Sequence, residues 1–193
     1  MGRPLEFDPE RVVDQSMHVF WSQGYDATSL QDLLRTTGLS KSSLYQAFHS
    51  KQNLFDRCID HYVDNLAKQM LGQLAESRSG RQFIEQTFQS VVDHADVPEA
   101  DRGCLLWNAT VEFGQRDAAV AKRLGQGMDR LAGVFETAVK RAQEEGDISP
   151  VKNPKVLSLY LLSSMSGLRS MLKGGIGGQK IKGVVQVILA SLD

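Results

Sequence analysis

The sequence predicts an all-α protein, and three observations lead to that prediction. Apolar residues recur at intervals of three and four along nearly the whole 193-residue chain, as they do on the buried face of an amphipathic helix. Alternating β-branched runs bounded by hairpin turns, which would indicate strands, are essentially absent. Clusters of glycine and proline interrupt the helical pattern where turns between helices are expected. We therefore expect a bundle of helices without a sheet.

Two helices joined by a short loop are predicted near the N-terminus. In the first, Met17 and Phe20 lie at helical spacing, and Gly24 stands where a left-handed residue commonly ends a helix. The second is predicted to begin with a capping box, in which the side chains of Thr28 and Gln31 satisfy free backbone N–H groups reciprocally.

A brief third helix, over about residues 40–48, follows after a glycine. Ser40 is its predicted N-cap, and Leu39 and Leu44 occupy the two positions of a hydrophobic staple. If Leu44 and Phe48 face the interior, the opposite face is exposed. That outer face carries Lys41, Ser42, Tyr45, Gln46 and His49, with Ser43 at its margin. Two short helices joined by a tight turn match a helix-turn-helix, whose second helix enters the major groove of DNA.

The charge of this region favours the same interpretation. No Asp or Glu occurs from Leu33 to Phe55, whereas Arg35, Lys41 and Lys51 are basic, although the net charge of the whole chain is only −1. A surface without carboxylates does not repel phosphate. Lys51 opens the next helix, where its ammonium and free backbone N–H groups can both face a phosphate. The Gln46 amide can hydrogen-bond a base edge, most often adenine.

The resemblance to a known family rests on residues 24–55, which read GYDATSLQDLLRTTGLSKSSLYQAFHSKQNLF. This segment is similar to the DNA-binding signature of the tetracycline-repressor (TetR) family of bacterial transcription regulators. The resemblance implies that Tyr45 and Lys51 contact the operator backbone, and Thr28, at the end of the Gly-Tyr-Asp-Ala-Thr entry, joins the predicted DNA-binding residues. It also implies two domains, a helix-turn-helix domain over residues 1–50 and an effector-binding and dimerisation domain over residues 51–193.

The rest of the chain is predicted to be helical. A long fourth helix begins near Lys51 and turns Leu54, Cys58, Leu66 and either Ile59 or Tyr62 inward. Further helices are expected over about residues 80–95, 103–114, 117–145, 154–173 and 179–192. The last two are apolar around much of their circumference and carry small residues that allow close packing. We expect them to form the interface of a homodimer, as the resemblance implies.

An effector site is expected in the C-terminal bundle, where polar side chains in apolar surroundings would orient a ligand. Asn108 and Glu112, one helical turn apart, are such groups, and Phe83 is a further candidate for the wall. The predicted effector-binding residues are Phe88, Cys104, Trp107, Asn108, Phe113 and Tyr160. Ordinary bundle core is the alternative interpretation of each aromatic residue.

Cys104 supports a different kind of sensor. A thiol near a helix N-terminus and next to Arg102 can have a lowered pKa and react with oxidants or electrophiles, although a buried inert thiol is an equal alternative. Cys58 and His61 have the spacing of a metal-ligand pair, but two ligands do not form a site. We predict neither a metal nor a cofactor.

Other classes of function are disfavoured. The segment GGIGGQK, at 174–180, lacks the phosphate-loop register, and a hydrolase built from Cys104, His94 and Asp101 has no evident oxyanion hole. The two cysteines are too few for a disulfide framework, and no secretory signal or membrane-spanning apolar run is evident. The chain is therefore expected to be a cytoplasmic, non-enzymatic regulator, most simply a repressor that a small-molecule effector releases from a palindromic operator.

Overall fold

The computed structural model describes residues 7–113 and 116–193, and within them it confirms the all-α prediction. These residues form α-helices and one short 3₁₀ helix, Pro98–Arg102, and none of them lies in a strand. The α-helices are α1 (Pro9–Gln23), α2 (Leu30–Thr37), α3 (Lys41–Phe48), α4 (Lys51–Glu76), α5 (Gly80–Asp93), α6 (Leu105–Phe113), α7 (Ala118–Glu144), α8 (Pro154–Lys173) and α9 (Gly178–Ala190). The predicted helices agree closely with these bounds, whereas the 3₁₀ helix was not predicted.

The start of α2 differs from the prediction by one residue. Ser29 is the N-cap, and it forms a capping box with Asp32, so the predicted box of Thr28 and Gln31 is wrong. Thr28 instead donates its hydroxyl proton to the carbonyl of Gly24 at 2.6 Å. That bond closes the loop between α1 and α2 and removes the threonine from the capping position.

Local sequence accounts well for α3. The Ser40 hydroxyl accepts a hydrogen bond from the backbone N–H of Ser43, and Leu44 and Phe48 are fully buried. The preceding turn depends on Gly38, whose φ of 71° is in the left-handed region that favours glycine. The helix-turn-helix therefore has an inner face anchored in the core and an outer face free for contact.

Helix α4 connects the N-terminal helices to the rest of the molecule. It packs against α1 on one side and α7 on the other. Its buried side chains include Leu54, Cys58, Ile59 and Tyr62, as the sequence indicates, and Leu66 is half-buried. Because one continuous helix contacts both parts of the chain, a change in its position affects both.

The C-terminal bundle is centred on α7, which packs against α4, α5, α6 and α8. Close approach of α5 to α7 requires a glycine, because a Cβ atom at Gly80 would lie 2.1 Å from the carbonyl oxygen of Ala138. Arg123 and Arg130 of α7 form ion pairs with Asp60 and Asp64 of α4 at the surface. In the described residues, no helix is both long enough and apolar enough to cross a membrane.

Candidate functional site

The outer face of α3 has the exposure that the sequence predicts. Lys41, Ser42, Gln46 and His49 are exposed, and the Tyr45 side chain is 41% exposed. Ser43 is half-buried, and its hydroxyl lies 2.8 Å from that of Ser40. The face thus offers an ammonium, an amide, an imidazole and hydroxyl groups, with no carboxylate on the helix. Such a surface can donate hydrogen bonds to phosphates and to base edges.

His49 ends this face in an unusual backbone conformation. It is the C-cap of α3 and has a φ of 64°, and no other described non-glycine residue has a positive φ. A positive φ is unfavourable for a residue with a Cβ atom, and strain of this kind often occurs at functional sites.

Replacement of His49 by glycine is expected to raise the free energy of unfolding by about 1 kcal/mol, because glycine adopts a positive φ without strain. If the imidazole contacts DNA, operator affinity falls in the same variant. Thermal unfolding and fluorescence anisotropy with operator DNA measure the two effects separately. A His49→Ala variant is the control, because it removes the imidazole but keeps the Cβ atom and therefore the strain. Destabilisation by the glycine would show that the backbone is not strained here.

The structure places two of the predicted DNA contacts away from the exposed outer face. Thr28 is only 1% exposed and its hydroxyl is bonded to Gly24, so its side chain cannot reach DNA in this conformation. The Lys51 ammonium is turned inward, 2.6 Å from the carbonyl oxygen of Tyr25 and 4.2 Å from the centroid of the Tyr25 ring. Burial lowers the pKa of Lys51, while Asp26 and Glu112 act in the opposite direction. In this conformation, Lys51 holds the loop after α1 and does not project outward.

Glu112 of α6 binds the same loop. Its carboxylate accepts hydrogen bonds from the backbone N–H groups of Tyr25, at 3.0 Å, and Asp26, at 2.6 Å. Arg116 adds an ion pair with Asp26 at 2.8 Å. Glu112 was expected to orient a ligand, but its two oxygens connect the C-terminal bundle to the helix-turn-helix. Charged residues close to the surface therefore help to join the two parts.

A Glu112→Gln variant is expected to be about 1–2 kcal/mol less stable, because it loses the charge-assisted character of two hydrogen bonds and one of its two acceptor oxygens. Chemical denaturation at fixed protein concentration measures this. The matched control is Glu136→Gln, which removes a surface ion pair with Lys140 within α7 and should change stability by less than about 0.5 kcal/mol. Equal losses in the two variants would contradict a special role for Glu112.

A cavity of about 250 Å³ lies inside the C-terminal bundle. It is lined from α4, α5, α7 and α8, and by Cys104, the residue before α6. Of the six predicted effector-binding residues, only Cys104 lines it, together with Phe83, which was a further candidate. Tyr62, Gln69, Gln73 and Arg169 are lining residues that sequence reasoning missed. The regular spacing of Tyr62, Leu66, Gln69 and Gln73 along one side of α4 was the available signal.

The other predicted effector residues lie elsewhere. Trp107 and Asn108 line a separate cleft between α1 and α6, and the Asn108 amide donates a hydrogen bond to the carbonyl of Arg102 at 2.8 Å. Phe88 is buried in the core beside Phe135. Phe113 belongs to an aromatic cluster with Tyr25 and Phe55, and Tyr160 is exposed on α8.

The two cysteines have different surroundings. Cys104 is half-buried at the cavity, where the Tyr62 hydroxyl donates a hydrogen bond to its sulfur at 3.7 Å. Cys58 is fully buried and donates to the carbonyl of Val13, and burial raises its pKa above the ordinary value of a thiol. Among the described residues, no three His, Cys, Asp or Glu side chains are grouped as a metal site requires.

A chain of contacts leads from the cavity to α1. The Tyr62 ring packs edge-on against Trp21 of α1, with ring centroids 5.2 Å apart. The Trp21 indole N–H donates a hydrogen bond to the carbonyl of Gly103 at 3.2 Å, next to Cys104. A group in the cavity that displaces Tyr62 or Cys104 would therefore disturb the contacts of Trp21, which belongs to the N-terminal helix α1.

Two family descriptions match the chain. Residues 12–58 match "Bacterial regulatory proteins, tetR family", and residues 80–174 match "Tetracyclin repressor-like, C-terminal domain". The two segments correspond to the helix-turn-helix region and to most of the bundle that contains the cavity.

Curated relatives and a solved structure are similar over nearly the whole length. The chain is 28% identical to the uncharacterised regulator YezE of Bacillus subtilis over 194 residues, with all of both chains covered. It is 26% identical to the transcriptional repressor ComR of Escherichia coli, over 93% of this chain and 86% of ComR. A cysteine mutant of the regulator CifR, solved with 26-base-pair operator DNA, superposes with a TM-score of 0.85 at 25% identity and covers 100% of both chains.

Proposed function

Because this chain belongs to the TetR family of bacterial regulatory proteins and is a DNA-binding regulator of transcription, we propose that it is a homodimeric repressor that a small-molecule effector releases from a palindromic operator. The proposal assigns DNA binding to residues 1–50 and effector binding and dimerisation to residues 51–193. It assigns the protein no catalytic step, and it places the protein in the cytoplasm, where bacterial operators are found.

The outer face of α3 is the observation that carries this proposal. Its exposed side chains can make the two kinds of contact that an operator requires. Lys41, Ser42 and Tyr45 can bind phosphates, and Gln46 can bind a base edge. The described backbone around them is held by buried leucine and phenylalanine side chains, so the donors are presented on a rigid element.

Dimerisation is supported by exposed apolar side chains on the last two helices. Val156, Leu159 and Tyr160 of α8 and Val184 and Val187 of α9 are exposed. Exposed apolar side chains on two helices that pack together favour an interface, and a two-fold dimer buries the same patch on both subunits. Two recognition helices about 34–36 Å apart would then meet successive major grooves of a palindromic site.

Release by an effector is supported by the position of the cavity. Its wall includes Tyr62 of α4, whose ring contacts Trp21 of α1. A ligand that binds more tightly when α4 is displaced would shift the protein towards a state in which the two recognition helices no longer fit the operator. Only that difference in affinity between the two states can drive release.

Selection of genomic fragments with the purified protein tests the proposal. We expect the bound fragments to share an inverted repeat, and sedimentation to show a dimer on each site. Competition with unrelated DNA at the same salt concentration is the control, because non-specific binding depends strongly on salt. Bound fragments with no common sequence would overturn the proposed function.

A thiol sensor is the second candidate, and the position of Cys104 favours it. Its sulfur lines the cavity, whereas Cys58 is enclosed and its raised pKa keeps it protonated. Mass spectrometry after mild oxidant or quinone treatment should then find modification at Cys104 alone, and a Cys104→Ser variant should stay on the operator under the same treatment. An unmodified Cys104 together with release by another molecule would exclude this mode of sensing.

A further inference from the structure

The cavity in the C-terminal bundle has an uneven distribution of charge. The described residues of its wall include one cation, Arg169 of α8, and no Asp or Glu. The apolar part of the wall includes Met70, Phe83 and Phe135, which are buried. Three glutamines, Gln69, Gln73 and Gln86, line the cavity and are exposed, so it opens to solvent beside them.

Arg169 has no neutralising partner among the residues that the structure describes. Its side chain is half-buried, and among the described residues it makes neither a hydrogen bond nor an ion pair. Two other arginines that pack between helices do have partners, as Arg81 has in Glu85 and Arg141 has in Glu145. A guanidinium that is partly removed from water without a counter-charge is unfavourable, and it binds an incoming carboxylate or phosphate strongly.

Tyr62 supplies a second donor in the same wall. Burial raises the pKa of Tyr62, Cys104 acts in the same direction, and the charge of Arg169 acts against them. The hydroxyl therefore stays protonated and can donate a hydrogen bond. Its acceptor in this structure is the Cys104 sulfur at 3.7 Å, and sulfur is a weak acceptor. An anionic oxygen would be a much better acceptor for the same proton.

The size of the cavity limits what it can hold. A cavity of roughly 150 Å³ accommodates a benzene molecule. The volume here is about 250 Å³, which suffices for one ring or a short alkyl chain and one carboxyl group. Larger anions such as nucleotides or acyl-coenzyme A are too big to be enclosed.

We propose that the effector is a small monocarboxylate, whose carboxylate pairs with Arg169 and accepts a hydrogen bond from Tyr62 while its apolar body contacts Phe83 and Phe135. The proposal rests on the proposed function, because it names the chemical class that occupies the effector site. On binding, the Tyr62 hydroxyl would donate its hydrogen bond to the ligand instead of to the Cys104 sulfur. This change lies next to the contact of Tyr62 with Trp21.

Calorimetric titration of the full-length protein with matched acids and amides tests this proposal. The probes are phenylacetate and hexanoate, compared with phenylacetamide and hexanamide at the same ionic strength. Each amide keeps the shape of its acid and lacks the charge. We expect the acids to bind at least about tenfold more tightly than the amides, because an arginine–carboxylate pair is charge-assisted.

Two variants assign this preference to one side chain. Arg169→Gln should abolish it, and Arg169→Lys should retain part of it. Lys173→Gln makes the same change of charge on the same helix, at a lysine that does not line this cavity, and should leave the preference unchanged. Thermal unfolding of every variant shows whether it is folded.

The outcomes separate the two proposals. Equal affinity for acids and amides, binding of neither acid by the folded protein, or an unaltered preference in Arg169→Gln would overturn the monocarboxylate proposal and leave operator binding unaffected. Preferential binding of the acids without release of operator DNA would support the chemistry of the site but contradict the assignment of a monocarboxylate as the effector.

Discussion

Replacement of Phe55 by alanine is expected to lower the free energy of unfolding by about 3–5 kcal/mol, the usual range for truncating a buried phenylalanine. Phe55 is 1% exposed and lies where the N-terminal helices meet α4 and α6. Its ring centroid lies 5.1 Å from that of Phe20, 5.0 Å from that of Tyr25 and 5.3 Å from that of Phe113. The truncation therefore leaves a void among three aromatic rings that come from both parts of the chain.

Chemical denaturation at a fixed protein concentration measures this effect, since the stability of a dimer depends on concentration. A Phe55→Leu variant should lose less, because leucine fills more of the space. Val111→Ala on α6 is the surface control, since Val111 is 77% exposed and such a change is usually within about 0.5 kcal/mol. A loss below about 1 kcal/mol for Phe55→Ala would mean that the aromatic cluster does not join the two parts.

The second large effect is expected on DNA binding. A Tyr45→Ala variant should bind operator DNA roughly 30- to 100-fold more weakly, because the proposed dimer would lose two contacts of at least about 1 kcal/mol. Thermal stability should change little, since Tyr45 is exposed and its hydroxyl bonds to no described residue. Fluorescence anisotropy at one salt concentration measures the affinity. Unaltered affinity would remove Tyr45 from the proposed interface.

Two further variants distinguish the kind of contact. Tyr45→Phe removes only the hydroxyl, so a loss of affinity as large as that of Tyr45→Ala would identify a hydrogen bond from this hydroxyl to DNA. A backbone contact weakens binding to operator and unrelated DNA alike. Gln46→Ala, which removes a predicted base contact, should weaken binding to the operator alone. Equal effects of Gln46→Ala on both kinds of DNA would contradict base recognition by this residue.

Short-range patterns predicted the helix-turn-helix well. Ser40, Leu44, Phe48 and the left-handed Gly38 all lie where the sequence indicates, because caps, staples and turns depend on neighbours a few positions away. The capping box at α2 shows the limit of such patterns. Thr28 and Ser29 both precede a suitable partner by three residues, and the bond from Thr28 to Gly24 selects Ser29.

The cavity in the C-terminal bundle was harder to predict, and α6 shows why. This helix is short, and its buried residues Leu105, Leu106, Ala109 and Phe113 lie on one face, within an arc of about 100°. Periodicity identifies that face, but it does not indicate which neighbouring element the other faces meet. Trp107 and Asn108 were expected in the cavity but line another cleft, and Glu112 turned out to bind the loop after α1.

The order of the amino acids alone was sufficient for the helical class, the helix bounds and the outward face of α3, because each of these follows from interactions within one or two helical turns. Long-range packing determined the rest. The cavity brings together Tyr62, Cys104 and Arg169 from distant parts of the chain, and the inward turn of Lys51 depends on the position of Tyr25. These features depend on how ridges and grooves of separate helices fit together, which no local pattern encodes.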